Sequence, residues 1–226
     1  MRPLSTSIPK FLIPVDDQPF AHYQLKLLAF NGVTDIVLCI GHLGEKIQEF
    51  VGSGSKWGLK VQYVNEGSEL RGTGGALRLA YDQGALASDF MVLYGDSYLP
   101  ISYPSVLEAF HESNAEALMT VLKNENQWDR SNVCYDSGKV SIYDKKNPTP
   151  SMHYIDYGLS LFRKSVIEHL IRSGDKVDLA EIFHRLSLEG RLAGYPVEHR
   201  FYEIGSISGL ESFREFLKSR DKEKKL

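Results

Sequence analysis

The sequence predicts an α/β fold of the doubly wound, Rossmann-like kind with a mixed sheet, and three observations carry the prediction. Helix-like and strand-like segments alternate through the first half, the order that lays a parallel sheet between two layers of helices. Two of the strand segments, "DIVLCI" and "DFMVL", are nearly continuous apolar runs, as in strands buried on both faces. In the second half, "NVCYDSGKVSIY" holds a hairpin signal at Asp136-Ser137-Gly138, so antiparallel strands extend the sheet.

The elements follow in order. "MRPLSTSIPKFLIPVDDQPF" has four prolines and reads as a stiff, extended loop. "FAHYQLKLLAF" repeats apolar residues at helical spacing, and Asn31-Gly32 stops it as a C-cap pair does. "LGEKIQEFVGSG" is an amphipathic helix with a glycine stop, and "LKVQYVNEG" alternates as a strand. "GTGGALRLAYDQG" is a glycine-rich turn feeding a helix. "VLEAFHESN" reads as a helix and "EALMTVLK" as a strand. "YIDYGLSLFRKSVIEHLI" runs from strand into helix; "DLAEIFHRLSLEG" is a helix, "LAGYPVE" a strand and "ISGLESFREFLKSR" a terminal helix. Residues 1–220 are expected to form one domain and 221–226, "DKEKKL", a charged tail.

The bulk numbers exclude several classes. The 226 residues are 42% hydrophobic, enough for a sizeable core, and the net charge is −3 with both signs mixed along the chain. No basic face for nucleic acid stands out. No run of about 18 apolar residues offers a membrane span, and no signal peptide is visible. The two cysteines, Cys39 and Cys134, are expected to be buried thiols in a reducing cytoplasm.

Several stretches could carry chemistry. In "VLYGDSYLP", Asp96 sits at the carboxyl end of a strand, where open α/β sheets place ligands, and a hard oxygen there suits Mg²⁺ bound with phosphates. A turn-starting aspartate would look the same. "ELRGTGGALRLA" puts three glycines around Thr73 before a helix, an arrangement of exposed N–H groups suited to a base or a phosphate; it is neither a Walker loop nor G-x-G-x-x-G, which disfavours a dehydrogenase. Lys10 lies between Pro9 and Pro14, so its ammonium is carried on a stiff segment. Glu203 in "RFYEIGS" is a second candidate metal carboxylate, or an edge-strand glutamate facing water. Asp144, Lys145 and Asp156 could bond a polyol and a phosphate, though nothing local forces that reading.

Together and in this order, the segments resemble the sugar-1-phosphate nucleotidyltransferases, or nucleotide-sugar pyrophosphorylases. "RPLSTSIPKFLIPVDDQP" is similar to that family's "RPLT…PKPLLPV…KP" signature, and "GTGGALRLA" and "FMVLYGDS" follow in family order. The likeness runs from Arg2 to about Leu217, and it implies the nucleotide-diphospho-sugar transferase fold. It implies catalytic roles for Lys10 and Asp96. Nucleotide binding falls to Glu66, Gly72, Thr73, Gly74 and Gly75, and sugar-phosphate binding to Asp144, Lys145, Asp156 and Gly158. Asp96 and Glu203 become the Mg²⁺ ligands, with Glu203 standing where the family usually has Asp. The implied reaction joins an NTP and a sugar 1-phosphate into an NDP-sugar, releasing pyrophosphate, in the cytoplasm. The compact length leans toward the short bacterial heptose- or mannose-1-phosphate guanylyltransferase type, or the MurNAc-1-phosphate uridylyltransferase type. Assembly into a homo-oligomer is left open.

One departure stands out. The family places a strand and an "L-A-A-G-x-G-x-R" loop before the "RPL" segment, and Arg2 is not that arginine by register. Two expectations follow. Either the full protein is longer than this sequence, or the sheet lacks its first, central strand and the chain is an impaired or regulatory sugar-nucleotide-binding subunit.

Overall fold

A computed structural model describes residues 7–223, with side chains described through Arg220. Arg2 and the rest of 1–6 lie outside the described residues. After a 3₁₀ turn at Lys10–Leu12 come two short strands, β1 (Pro14–Val15) and β2 (Gln18–Pro19), paired antiparallel. Helix α1 (Phe20–Phe30) follows and ends at Asn31-Gly32, where Gly32 takes φ +78°, a value that favours glycine. Then come β3 (Asp35–Ile40), α2 (Gly44–Val51), β4 (Lys60–Asn65), α3 (Gly72–Asp82) and β5 (Asp89–Leu93). The short β6 (Ser97–Tyr98) leads to α4 (Tyr103–Ser113), whose N-cap Ser102 accepts the Ser105 N–H.

The second half holds β7 (Ala117–Lys123), β8 (Val133–Asp136), β9 (Lys139–Tyr143), β10 (Tyr154–Arg163), α5 (Lys164–Leu170), α6 (Leu179–Leu188), β11 (Leu192–Val197), β12 (Tyr202–Glu203) and α7 (Ile207–Glu223). Helix α7 runs on past Arg220, where the sequence suggested that the charged tail begins. The helices and long strands match the periodicity. The pairs β1–β2 and β6–β12 are too short for any pattern to announce.

The fold is α/β with a mixed sheet, but the sheet is in pieces. Six strands run in the order β5-β10-β7-β11-β9-β8. Within it β7 and β11 are parallel, while β10 is antiparallel to both β5 and β7. β3 and β4 form a separate parallel pair. The alternation of the first half suggested a parallel sheet apparently missing its first strand; β5 bonds only β10, and among the described residues no strand lies between β3 and β5. The residues of both strands line one largely apolar cleft of about 1400 Å³.

This cleft corrects two expectations. The "DIVLCI" strand was expected to be covered on both faces, yet only Ile40 in it is buried. Cys39, expected buried, is exposed and lines the cleft. β7 shows what full cover looks like. Leu118 and Leu122 join the core on one face and Ala117, Met119 and Val121 the core on the other, which is why "ALMTVL" is apolar but for Thr120, whose buried hydroxyl bonds the Leu159 carbonyl.

Helix α7 is pinned by aromatic contacts. Phe213 is fully buried, with ring centroids 5.3 Å from Phe20, 5.7 Å from Tyr23 and 4.9 Å from Tyr98. Tyr202 stacks on Phe216 at 4.3 Å. The helix therefore backs the β6–β12 pair. No helix among the described residues is long and apolar enough to cross a membrane.

Candidate active site

The β5–β6 turn carries Asp96. Gln24, buried on α1, donates from Nε2 to the carbonyls of Tyr94 (2.8 Å) and Ser97 (2.6 Å), so one amide braces both sides of the turn. The Asp96 carbonyl accepts the Ile204 N–H at 3.0 Å, and Glu203 pairs with Ser97 across β12–β6. Two carboxylates from distant parts of the sequence are thereby set side by side, Asp96 in the turn before β6 and Glu203 on β12. Lys10 reaches the same place from the 3₁₀ turn, with Nζ 3.3 Å from Asp96 Oδ2. Gly205 makes room: a Cβ there would lie 2.7 Å from Glu203 Oε2 and 3.8 Å from Lys10 Nζ. Lys10, Asp96 and Glu203 are thus brought together.

The glycine-rich turn divides. Gly72 and Thr73 are exposed and, with Glu66, line the cleft between β3 and β5. Gly74 and Gly75 are buried. Their N–H groups, read from sequence as exposed and open to a ligand, both donate to Val177 O, at 2.9 and 3.2 Å. Thr73 Oγ1 donates to Asp178 Oδ1 and accepts the Leu179 N–H. The start of α3 is therefore locked to the loop that enters α6. The glycines are needed for that approach: a Cβ on Gly75 would meet Asp175 O at 2.6 Å and Arg71 Cβ at 2.8 Å. Gly75→Ala is expected to destabilise the fold by about 1–3 kcal/mol, the usual cost of forced overpacking. A urea titration checks this, and an unchanged midpoint would contradict the packing account.

A second pocket of about 490 Å³ lies beside the Asp96 turn. Lys145, Asp156, Gly158 and Glu203 line it, as do Tyr94, Trp128, Asn132 and Arg200. Asp156 enters it because β10 bulges between Asp156 and Ser160, with Gly158 at φ +106° and Thr120 Oγ1 bonding Leu159 O at 2.6 Å. Asp156 Oδ1 accepts the Gly158 N–H at 2.9 Å. Burial pushes the Asp156 carboxyl up to about 6, partly opposed by the Gly158 N–H and by Lys145. Burial also raises the Tyr94 hydroxyl, helped by Asp156, Asp178 and Asp96. Asp144 is not among the residues lining this pocket. Its Oδ1 accepts the N–H groups of Asn147 and Lys146, which hold its carboxyl below the ordinary range.

Trp128, Asn132 and Arg200 were not identified from sequence. Trp128 sits in a loop, 124–132, stitched by its own polar side chains. Buried Asn124 donates to Asp129 O and Ser131 Oγ and accepts the Trp128 N–H, and Ser131 Oγ accepts the Asn126 N–H. An aromatic residue inside the polar run "NENQWDRSN" is the one local signal that pointed to such a platform.

Among the described residues no group of three or more His, Cys, Asp or Glu could hold a metal. Asp96 and Glu203 are a two-carboxylate set. That suits Mg²⁺, which binds one or two carboxylates and completes its shell with water and substrate phosphates.

The nucleotidyl transferase family profile matches residues 1–220. A UTP–glucose-1-phosphate uridylyltransferase of Synechocystis is 26% identical over 224 residues, covering 92% of this chain and 57% of its own. A mannose-1-phosphate guanyltransferase of Gibberella zeae is 28% identical over 213 residues, covering 91% and 57%. The chain thus spans little more than half the length of these relatives. Among solved structures, HddC from Yersinia pseudotuberculosis superposes with a TM-score of 0.78 at 21% identity, covering 93% of this chain and 90% of that one. The inositol-1-phosphate CTP transferase from T. maritima gives 0.73 at 18%, covering 95% and 88%. These likenesses show the fold.

Proposed function

The chain belongs to the nucleotidyl transferase family, and from that premise we propose that it transfers a nucleotidyl group from an NTP to a sugar 1-phosphate in the cytoplasm. The observation that carries the reading is the convergence of Lys10, Asp96 and Glu203 at the end of β5, beside a pocket lined by Asp156 and Lys145. Its relatives include glucose- and mannose-1-phosphate enzymes, and an HddC structure is complexed with GMP-PN.

In this reading Glu66, Gly72 and Thr73 face the nucleotide, while Gly74 and Gly75 support them from beneath. Lys145 holds the sugar's phosphate, and Asp156 and the bulge at Gly158 shape the sugar pocket. A phosphate oxygen of the acceptor attacks the α-phosphorus of the NTP. The new P–O bond forms as the bond to the bridging oxygen breaks, and pyrophosphate leaves with that oxygen. Lys10 is placed to neutralise charge on the phosphates, and the fixed Asp96 turn keeps the geometry in line. Asp96 and Glu203 would hold Mg²⁺, which when bound supplies charge neutralisation at the phosphates.

Pyrophosphate release across a panel of NTPs with Mg²⁺ and several sugar 1-phosphates tests the reading. Release that needs both substrates supports it. Its absence, together with no thermal shift by any NTP or NDP-sugar, would refute it.

The raised Asp156 carboxyl gives a pH signature. The folded protein takes that proton more readily than the unfolded chain, so the group's contribution to stability is full below about 3.8 and is lost as pH rises through about 6. Sugar hydroxyls donate better to the ionised form. NDP-sugar affinity is therefore expected to rise across pH 6, and Asp156→Asn should flatten that step. Binding measured from pH 5 to 8 decides it, and a step that survives in Asp156→Asn would assign it to another group.

A further inference from the structure

We propose that Arg200 reads a second oxyanion on the sugar, distal to the 1-phosphate, so that the acceptor is an acidic sugar 1-phosphate. The inference rests on the nucleotidyl-transfer reading above and names its substrate class. Arg200 is half-buried and lines the sugar-side pocket. Its guanidinium carbon lies 3.9 Å from the centroid of the Trp128 ring and 4.7 Å from that of Tyr202. Contact with both rings fixes the guanidinium and leaves its N–H edge for hydrogen bonding.

That edge is little used. Its hydrogen bond to protein is a long one, Nε to Phe201 O at 3.4 Å, and among the described residues no carboxylate forms an ion pair with it. The pocket's own acids bond elsewhere. Asp156 takes the Gly158 N–H, Asp178 the Ala180 N–H, Asp129 the Arg130 N–H and Glu203 the Ser206 hydroxyl. A half-buried guanidinium held against two rings keeps donors free for a ligand, and its planar fork matches carboxylate or phosphate in a bidentate fashion.

The placement separates Arg200 from the reacting phosphates. Arg200 lines the sugar-side pocket, whereas Lys10 and Asp96 are not among the residues lining it. The other cations near the site are Lys10, already paired with Asp96, and Lys145, which lines the same pocket as Arg200. The braced loop 124–132 holds Trp128 against Arg200, so the platform is built before any ligand arrives.

The test is calorimetric binding at fixed salt of α-D-glucose 1-phosphate, α-D-glucose 1,6-bisphosphate and α-D-glucuronic acid 1-phosphate, to the wild-type chain and to Arg200→Met. The wild type should bind one of the two acidic probes at least about tenfold more tightly than glucose 1-phosphate, the scale of one charge-assisted bond. Arg200→Met should abolish that preference and leave glucose 1-phosphate nearly unchanged. Which acidic probe gains tells a phosphate from a carboxylate. Equal binding of all three by the wild type, or an equal loss of all three in Arg200→Met, would overturn the inference while leaving nucleotidyl transfer standing. Failure of the wild type to bind any sugar phosphate, with or without NTP, would overturn both. Should Arg200→Met not fold, Arg200→Lys decides: a reduced preference supports the planar fork, and an unchanged one refutes it.

Discussion

Asp96→Asn is expected to lower pyrophosphate release at least about 100-fold, the scale of losing one well-placed electrostatic partner in an active site. The substitution keeps the size of the side chain and removes its charge. It should cost little stability, because the Lys10–Asp96 pair is partly solvated, with side chains 51% and 28% exposed, and such pairs contribute about 0–1 kcal/mol. The turn itself is held by Gln24 and by the Ile204 N–H, through backbone carbonyls and not through the carboxylate. Activity and stability should therefore separate. A near-normal rate would remove Asp96 from the metal site. A large fall in melting temperature would mean that the carboxylate is structural.

Phe213→Ala should be the most damaging change to stability, by about 3–5 kcal/mol, the range for truncating a buried phenylalanine. Its ring touches aromatic neighbours from α1, β6 and β12, so the cavity would open beneath the strand pair that carries Glu203. Chemical denaturation measures the loss, and a change below about 1 kcal/mol would show that the aromatic cluster repacks. Metal or ligand affinity should fall as well, because Glu203 loses the backing of its strand.

Much of this was legible in the sequence. The helices α1, α3, α4 and α6 and the strands β3, β4, β7 and β10 follow from apolar spacing and from stops such as Asn31-Gly32. Lys10, Asp96 and Glu203 were singled out from residue type and position before any geometry. What could not be read was contact between distant segments. Nothing near Gly74 announces Val177 O as its partner 103 residues away. The role of Gln24 depends on a turn 70 residues downstream, and a glutamine in a helix carries no mark of it. Asp144 has the right residue type beside Lys145, but local N–H groups capture its carboxylate. Arg200 was overlooked because its value lies in what it lacks: an acidic partner can be counted only once the neighbours are known.

The break in the sheet has a consequence for handling the protein. Sheets ordinarily keep their free edges at the margins, where short strands, lysines or prolines discourage other chains from adding on. Among the described residues β3 and β5 each leave one edge unpaired beside a wide cleft, and the residues of both strands that line it are mostly apolar. The protein's concentration limit should respond to substitutions in "DIVLCI" and "DFMVL" more than to any change in the charged surface.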